Sequence, residues 1–290
     1  MNHPTDLLKI LFGSLFLISA LSCTKKETII LDDNQPPIVN YVPAIKIENY
    51  INRIFIDLLG REPLDSEMQA EVAALRADTL SVEAREALII KLQTSTDFIE
   101  GDTSYQRAFA QHMYNLSKVR CIEGASNAEI RTFFNNASEA DSSRLFKVLN
   151  SRRDFQNGDI QIHEMFARMI HNLVYDQINM NSFNFVNATF DNLLWRFPTD
   201  SEFKAGFDMV EFQLPQTLFN EAGENKTDYV EILTESREMF EGILIWTYQQ
   251  LLARRPTTEE TFFLLEDFFQ HRDLRLIQRH IMVKDEYANF

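Results

Sequence analysis

Three histidines, one cysteine between cations and a few paired acids are the residues that could do chemistry here. His163-Glu164 sets an imidazole beside a carboxylate, the first half of a helical zinc-protease signature. The second half is missing, because the next histidine, His171, lies eight residues on, two turns up the same face. His112, His163 and His171 with a carboxylate could form a metal site, but satisfied or solvated histidines suit the spacing better. Cys121 stands in Lys118-Val-Arg-Cys-Ile-Glu, between cations that lower a thiol pKa, and packing is its plainer role. The pairs Asp32-Asp33, Glu259-Glu260 and Asp285-Glu286 fall at a tether or at helix ends, and nothing selects a glycosidase pair among them. Gly-x-Ser-x-Gly, a phosphate-cradling glycine loop and a dinucleotide fingerprint are all absent from the sequence. Trp195 and Trp246, near Phe197 and Tyr248, would form a sugar or protein platform if exposed and core if buried. The expectation is therefore no catalytic residue, no metal and no cofactor.

The elements that would position such residues come from a pattern that occurs three times. Its copies are Phe55-Ile-Asp-Leu58-Leu59-Gly-Arg61-Glu-Pro63-Leu-Asp-Ser-Glu67, Phe190-Asp-Asn-Leu193-Leu194-Trp-Arg196-Phe-Pro198-Thr-Asp-Ser-Glu202 and Tyr248-Gln-Gln-Leu251-Leu252-Ala-Arg254-Arg-Pro256-Thr-Thr-Glu-Glu260. The aromatic and the two leucines fall at i, i+3 and i+4, one face of a helix. The proline stops that helix, and the arginine is expected in its last turn, where a cation suits the helix dipole. Thr199-x-x-Glu202 and Thr257-x-x-Glu260 are capping boxes that open a second helix. Leu64 replaces the threonine in the first copy, so Asp65 or Ser66 is expected to cap there. Each copy closes on an acid near an aromatic: Asp97-Phe98, Glu238-Met-Phe240 and Glu286-Tyr287. The unit is thus helix, corner, helix over about 45 residues, with the arginine pairing to the terminal acid of its own unit. Uneven spacing argues for internal duplication within a domain, not a regular solenoid.

Residues 1–22 read as a lipoprotein signal peptide. The run Ile10 to Leu21 has 12 residues, right for a signal core and too short to span a bilayer. Ala20-Leu21-Ser22-Cys23 resembles a bacterial lipobox, which implies cleavage before Cys23 and acylation of its thiol and amine. With Cys23 lipidated, Cys121 has no partner for an intramolecular disulfide. Residues 23–43, with Pro36-Pro37 and Pro43, read as an extended tether. Asp6 and Lys9 cancel, so the mature chain keeps the net charge of -15. That charge argues against nucleic acid and against adsorption to anionic lipid, leaving the lipid anchor as the membrane contact.

The remaining body is predicted to be all-α, a multi-helix domain built from three diverged helix-corner-helix units. Only 8 glycines occur, strand alternation is nowhere sustained, and Ile47, Ile51, Ile54 and Leu58 share a helix face, as do Phe166, Met169, Ile170 and Leu173. Much of the phenylalanine, 24 residues, is expected to fill core. Helices are predicted over Tyr105–Leu116, from a capping box at Ser126-x-x-Glu129, over Ser138–Asn150 and over Ile160–Met180. Arg152-Arg153-Asp154 and Asn157-Gly158-Asp159 suggest a boundary between an N-terminal region, 44–152, and a C-terminal region, 153–290.

Residues about 48–120 resemble a known family. Ile54 to Pro63, the glutamate after it, Arg85-Glu-Ala-Leu-Ile-Ile-Lys-Leu92, Ser95-Thr-Asp97-Phe98 and Tyr105 to Leu116 are similar to an uncharacterised helical domain of bacterial envelope proteins, found with c-type cytochrome modules in planctomycetes. The resemblance implies an extracytoplasmic helical domain with no assigned activity. The chain has no Cys-x-x-Cys-His, so it attaches no c-type haem. The lipobox and the acidic body also resemble a Bacteroidota envelope lipoprotein, in which Asp78-Thr79-Leu80 would fit a short O-glycosylation motif at Thr79. The functional expectation is a non-enzymatic, lipid-anchored scaffold or adaptor of the outer membrane, facing periplasm or cell surface and binding another envelope protein. A glycan-binding surface lipoprotein and an accessory subunit of an envelope redox or hydrolytic system are the alternatives.

Overall fold

Ile47, Ile51, Ile54 and Leu58 are all buried on one face of α1 (Ala44–Leu59), as their spacing predicts. The structure, a computed structural model, describes residues 42–99 and 103–290. The signal peptide, Cys23 and nearly all of the expected tether lie outside the described residues. Fifteen α-helices account for most of the rest, with two short antiparallel hairpins, so the protein is all-α.

The first copy supplies α1, α2 (Asp65–Ala77) and α3 (Val82–Thr94), followed by the hairpin β1 (Phe98–Ile99) and β2 (Thr103–Ser104). Five helices then intervene: α4 (Tyr105–Ile122), α5 (Asn127–Thr132), α6 (Glu139–Asn157), α7 (Ile162–Ile170) and α8 (Leu173–Asn179). The second copy is α9 (Ser182–Thr189) continuing into a π-helical turn (Phe190–Leu194), then α10 (Asp200–Phe212), the hairpin β3 (Gln216–Leu218) and β4 (Glu221–Gly223), and α11 (Lys226–Glu235). The third is α12 (Arg237–Leu252), α13 (Thr258–His271) and α14 (Leu274–Met282), with α15 (Asp285–Ala288) closing the chain. Each unit is thus three helices long, one more than the helix-corner-helix expected.

Helix α4 is the hub. It packs against α1, α3, α6, α7 and α8, and Phe109, Ala110, Met113, Tyr114, Cys121 and Ile122 are among its buried residues. The two ends of the body meet across it. The Tyr50 hydroxyl donates to the Met282 carbonyl at 3.1 Å, Arg53 to the Tyr287 carbonyl at 2.8 Å, and the Tyr287 hydroxyl to Asp57 at 2.7 Å. Val42–Phe290 packs as one unit around one core. The boundary expected at 152/153 falls inside α6, which runs on to Asn157 and stops at Gly158, a left-handed cap with φ 81°. The turn signal was real, but it marks a helix end and not a domain edge. The predicted helix over Ile160–Met180 is two helices, because the Asn172 side chain accepts from the N–H groups of Val174 and Tyr175 and starts α8 afresh.

Candidate functional site

In all three copies the aromatic, the arginine and the glutamate of the pattern close into one latch. The guanidinium carbon sits 5.5 Å from the Phe55 ring centre for Arg61, 5.1 Å from Phe190 for Arg196 and 5.2 Å from Tyr248 for Arg254. Its two Nη atoms grip both oxygens of the glutamate: Arg61–Glu67 at 2.7 and 2.8 Å, Arg196–Glu202 at 2.9 and 2.6 Å, Arg254–Glu260 at 2.8 and 2.8 Å. The same glutamate accepts the backbone N–H of Leu64, Thr199 or Thr257, which fixes the start of the second helix. Phe55, Leu58, Leu59, Phe190, Leu193, Leu194, Tyr248 and Leu251 are buried beneath, with Leu252 packed on the core edge.

This corrects the role expected for the arginine. A left-handed residue, Gly60 (φ 71°), Trp195 (φ 57°) or Ala253 (φ 53°), ends each first helix before the arginine. The arginine therefore lies in the corner, ahead of Pro63, Pro198 or Pro256, and neutralises the next helix's glutamate instead of its own helix's carbonyl end. In the first copy neither Asp65 nor Ser66 caps α2; Leu64 holds the N-cap position without a side-chain acceptor, and only the reaching-back half of the box, from Glu67, is made.

The expected pairing with the terminal acid occurs in two copies. Glu238 accepts from Arg196 Nε at 2.9 Å, and Glu286 from Arg254 Nε at 2.7 Å. Among the described residues Asp97 makes no ion pair, and the Tyr105 hydroxyl of α4 bonds Glu67 at 2.8 Å instead. Arg196 and Arg254 hold the Glu202 and Glu260 carboxyls at about 2, against an ordinary 4.5. Burial pushes Glu67 up, but Arg61, the Leu64 N–H and Tyr105 together outweigh it and leave the group below its ordinary value.

The histidines do not converge on a metal site: among the described residues no group of three or more His, Cys, Asp or Glu side chains is placed to hold an ion. His112 is held against Gly60 and lowered by burial, and His171, lowered to about 4 by burial and then by Arg144, Lys226 and Lys147, caps α7. His163 is the informative one. Its ring is 1% exposed, with Nε2 3.2 Å from Glu235 and 3.3 Å from Arg272, which itself binds the second oxygen of Glu235 at 2.6 Å. Arg272 thus supplies the positive charge that faces Glu235. Burial lowers the His163 pKa, and the neutral ring donating from Nε2 to Glu235 fits the geometry. Cys121 is buried and its thiol is pushed up to about 12 by desolvation, outweighing Arg120, so it is an inert packing residue. Trp246 and Tyr248 are buried, Trp195 is half-buried with the guanidinium of Arg120 over its ring at 3.9 Å, and Phe197 is exposed. Thr79 lies in the exposed turn between α2 and α3 with φ 50°.

Concavities and exposed phenylalanines lie on and around the second helices of copies two and three. A cleft of about 730 Å³ runs between the β3–β4 turn, α11, the start of α12 and Phe269 of α13. Five carboxylates border it, from Glu221, Asp228, Glu231, Glu235 and Glu238, against one cation, Arg237. Arg237 also borders a groove of about 390 Å³ farther along the same side of α13, walled by Ile245, Pro256, Phe262 and Leu265. Phe262 is 85% and Phe263 68% exposed, although α13 has ample core contact through Leu264, Leu265 and Phe268. A ladder of rings runs from Phe183 of α9 onto α10, Phe183–Phe203–Phe207–Phe212, with centres 5.0, 5.7 and 5.6 Å apart. Sequence reasoning expected much of the phenylalanine to fill core and singled out none of these residues. The signal it passed over is that Phe262-Phe263 and Phe203/Phe207 lie outside the face set by the buried Leu264/Phe268 and Ala205/Met209. In comparisons with known protein families, curated proteins and solved structures, nothing matches this chain.

Proposed function

We propose that this chain is a non-enzymatic adaptor, held to the outer membrane by acylation at Cys23 and docking another envelope protein on the outer face of α13. The observation that carries the reading is the pair Phe262 and Phe263, consecutive and exposed on one helix, with Phe262 walling a groove. The corresponding helix of copy one, α2, shows solvent Gln69, Ala70, Ala73 and Ala74 on its exposed face. The latch does not need phenylalanine there, since copy one forms it without any. The polar groups of the repeated pattern are spent on the latch, which speaks for a rigid scaffold and leaves recognition to the surfaces that differ between copies. No described helix is long and apolar enough to cross a membrane, which is compatible with attachment through Cys23. The redox or hydrolytic alternative gains no metal-holding cluster among the described residues: Arg272 pairs with Glu235 beside the buried, neutral His163.

The test is cross-linking of the full chain in its native membranes, comparing the parent with Phe262→Asp/Phe263→Asp and with Cys23→Ala. The parent should cross-link to one defined envelope protein, the double variant should lose that product while keeping its thermal transition, and Cys23→Ala should leave the membrane fraction. An undiminished product in the double variant would remove α13 from the reading. Retention of Cys23→Ala on the membrane would remove the anchor.

A further inference from the structure

The phenylalanine ladder from Phe183 of α9 along α10 is a separate surface, and its charges say what fits it. Phe183 and Phe212 at the two ends of the ladder are 57% and 58% exposed, and Leu214 just beyond is 47% exposed. Phe203, Phe207 and Glu211 follow one i, i+4 row along the helix, with Lys204 beside it. Lys204 has 72% of its side chain in solvent and reaches Asp208, while Glu211 is exposed and accepts from the Ser182 hydroxyl. The apolar row is thus bordered by a cation towards the start of α10 and an anion towards its end.

That arrangement is complementary to itself in one direction only. We propose that α10 is a homodimer interface, on which a second copy of this chain docks antiparallel with its own α10. A two-fold axis crossing the helix between Phe207 and Asp208 exchanges positions 204 and 211. It places Lys204 against Glu211 of the second copy twice over and brings the two Phe207 rings together at the centre. Other registers fare worse: an axis through 204 opposes lysine to lysine, and one through 211 opposes glutamate to glutamate. A foreign partner would need no such symmetry. A shallow concavity of about 550 Å³ beside Lys204, lined by Ala205, Pro215, Gln216 and Thr217, gives the rings and Leu214 of the other copy a place to bury. Stable interfaces bury roughly 800 Å² per partner, and the ladder supplies the apolar centre of such an area, with the hairpin β3–β4 as its polar rim. The inference does not use α13, so either proposal can fail alone.

The test is self-cross-linking of the full chain in its membrane. Phe207→Cys should give a disulfide-linked product of twice the chain mass on mild oxidation, and Phe262→Cys should not. Lys204→Glu should cut that product at least tenfold, as should Glu211→Lys, and the double reversal Lys204→Glu/Glu211→Lys in the Phe207→Cys background should restore it. Restoration excludes misfolding as the cause of the loss. Absence of the product from Phe207→Cys, or a yield that neither charge reversal changes, would overturn the interface.

Discussion

Copy one and copy three build the same latch and put it to different uses. In copy one the side chain of Glu67 is 7% exposed, and α4 covers the latch through Tyr105. In copy three Glu260 is 20% exposed, and the guanidinium of Arg254 is filled by a second carboxylate, Glu286, from the chain end. A buried arginine–glutamate pair needs its remaining lone pairs satisfied, and a hydroxyl does that without adding charge. At a rim, where water screens, a second acid is tolerated and lets the latch reach the next structural segment. Copy one is therefore wedged into the molecule. In copies two and three the latch also grips the segment that follows, through Glu238 or Glu286, and their second helices carry phenylalanine outward. The difference teaches that one motif can serve a unit whose second helix shows solvent mostly small and polar residues and two units whose second helices show it phenylalanine.

Copy two carries the largest test of this. Its first helix ends in the π-helical turn Phe190–Leu194, and α12 lies directly on that turn because Gly242 has no side chain. A Cβ there would collide with the backbone of Leu193 and lie 3.1 Å from the Cα of Leu194. Backbone cannot step aside as a side chain end can, so Gly242→Ala should destabilise the fold by about 3 kcal/mol or more. Urea denaturation followed by circular dichroism reads it. A loss below about 1 kcal/mol would mean that copy two is no more rigidly seated than the others.

The next effect separates buried from rim latches. Glu67→Gln should lower stability by about 2 to 3 kcal/mol, since it leaves Arg61 half satisfied beside Tyr105. Glu286→Gln, at a half-exposed rim position, should lower it by less than about 1 kcal/mol. Acid sharpens the same comparison. The Glu260 and Glu202 carboxyls lie at about 2 in the fold and at 4.5 without it. Their stabilisation is thus complete above about pH 4.5 and is lost as pH falls through about 2. Glu260→Gln should be less stable at neutral pH and show a flatter acid limb between those values. An acid limb identical to the parent's would show that Arg254 does not hold that carboxyl down.

The latch was legible in the sequence as a pattern, and its physics was only half legible. The spacing of Phe55, Leu58 and Leu59 gave the buried face, and the capping glutamates gave the second helix starts. The left-handed corner was visible only at Gly60, because Trp195 and Ala253 occupy the same conformation without announcing it. Arg61, Arg196 and Arg254 consequently looked like last-turn residues. The pairing of Arg196 with Glu238 and of Arg254 with Glu286 could be anticipated because both partners recur in the repeat. Tyr105 on Glu67 could not, since it comes from the non-repeated α4. His163 with Glu235 and Arg272 was hidden for the same reason: its members lie on α7, at the end of α11 and after α13, and only packing brings them together. The open surfaces were the least legible, because phenylalanine reads as core until the buried face of its helix is known.

The smallest effects test whether the left-handed corner is a shared requirement. An L-residue in that conformation is strained by roughly 1 to 2 kcal/mol, which Gly60 avoids and Ala253 does not. Gly60→Ala should destabilise by about 1 to 2 kcal/mol, because the new Cβ meets His112 Nδ1 at 2.6 Å in addition to the strain. Ala253→Gly works in the opposite direction. It relieves the strain but frees the unfolded chain, so the net gain should be about 0.5 kcal/mol, seen as a small rise in Tm. Trp195→Gly relieves the same strain and loses the ring under Arg120, so it should not gain. If Ala253→Gly instead lowers Tm, the strain at that corner is already released by the structure around it. The three corners would then share a shape without sharing the reason for it.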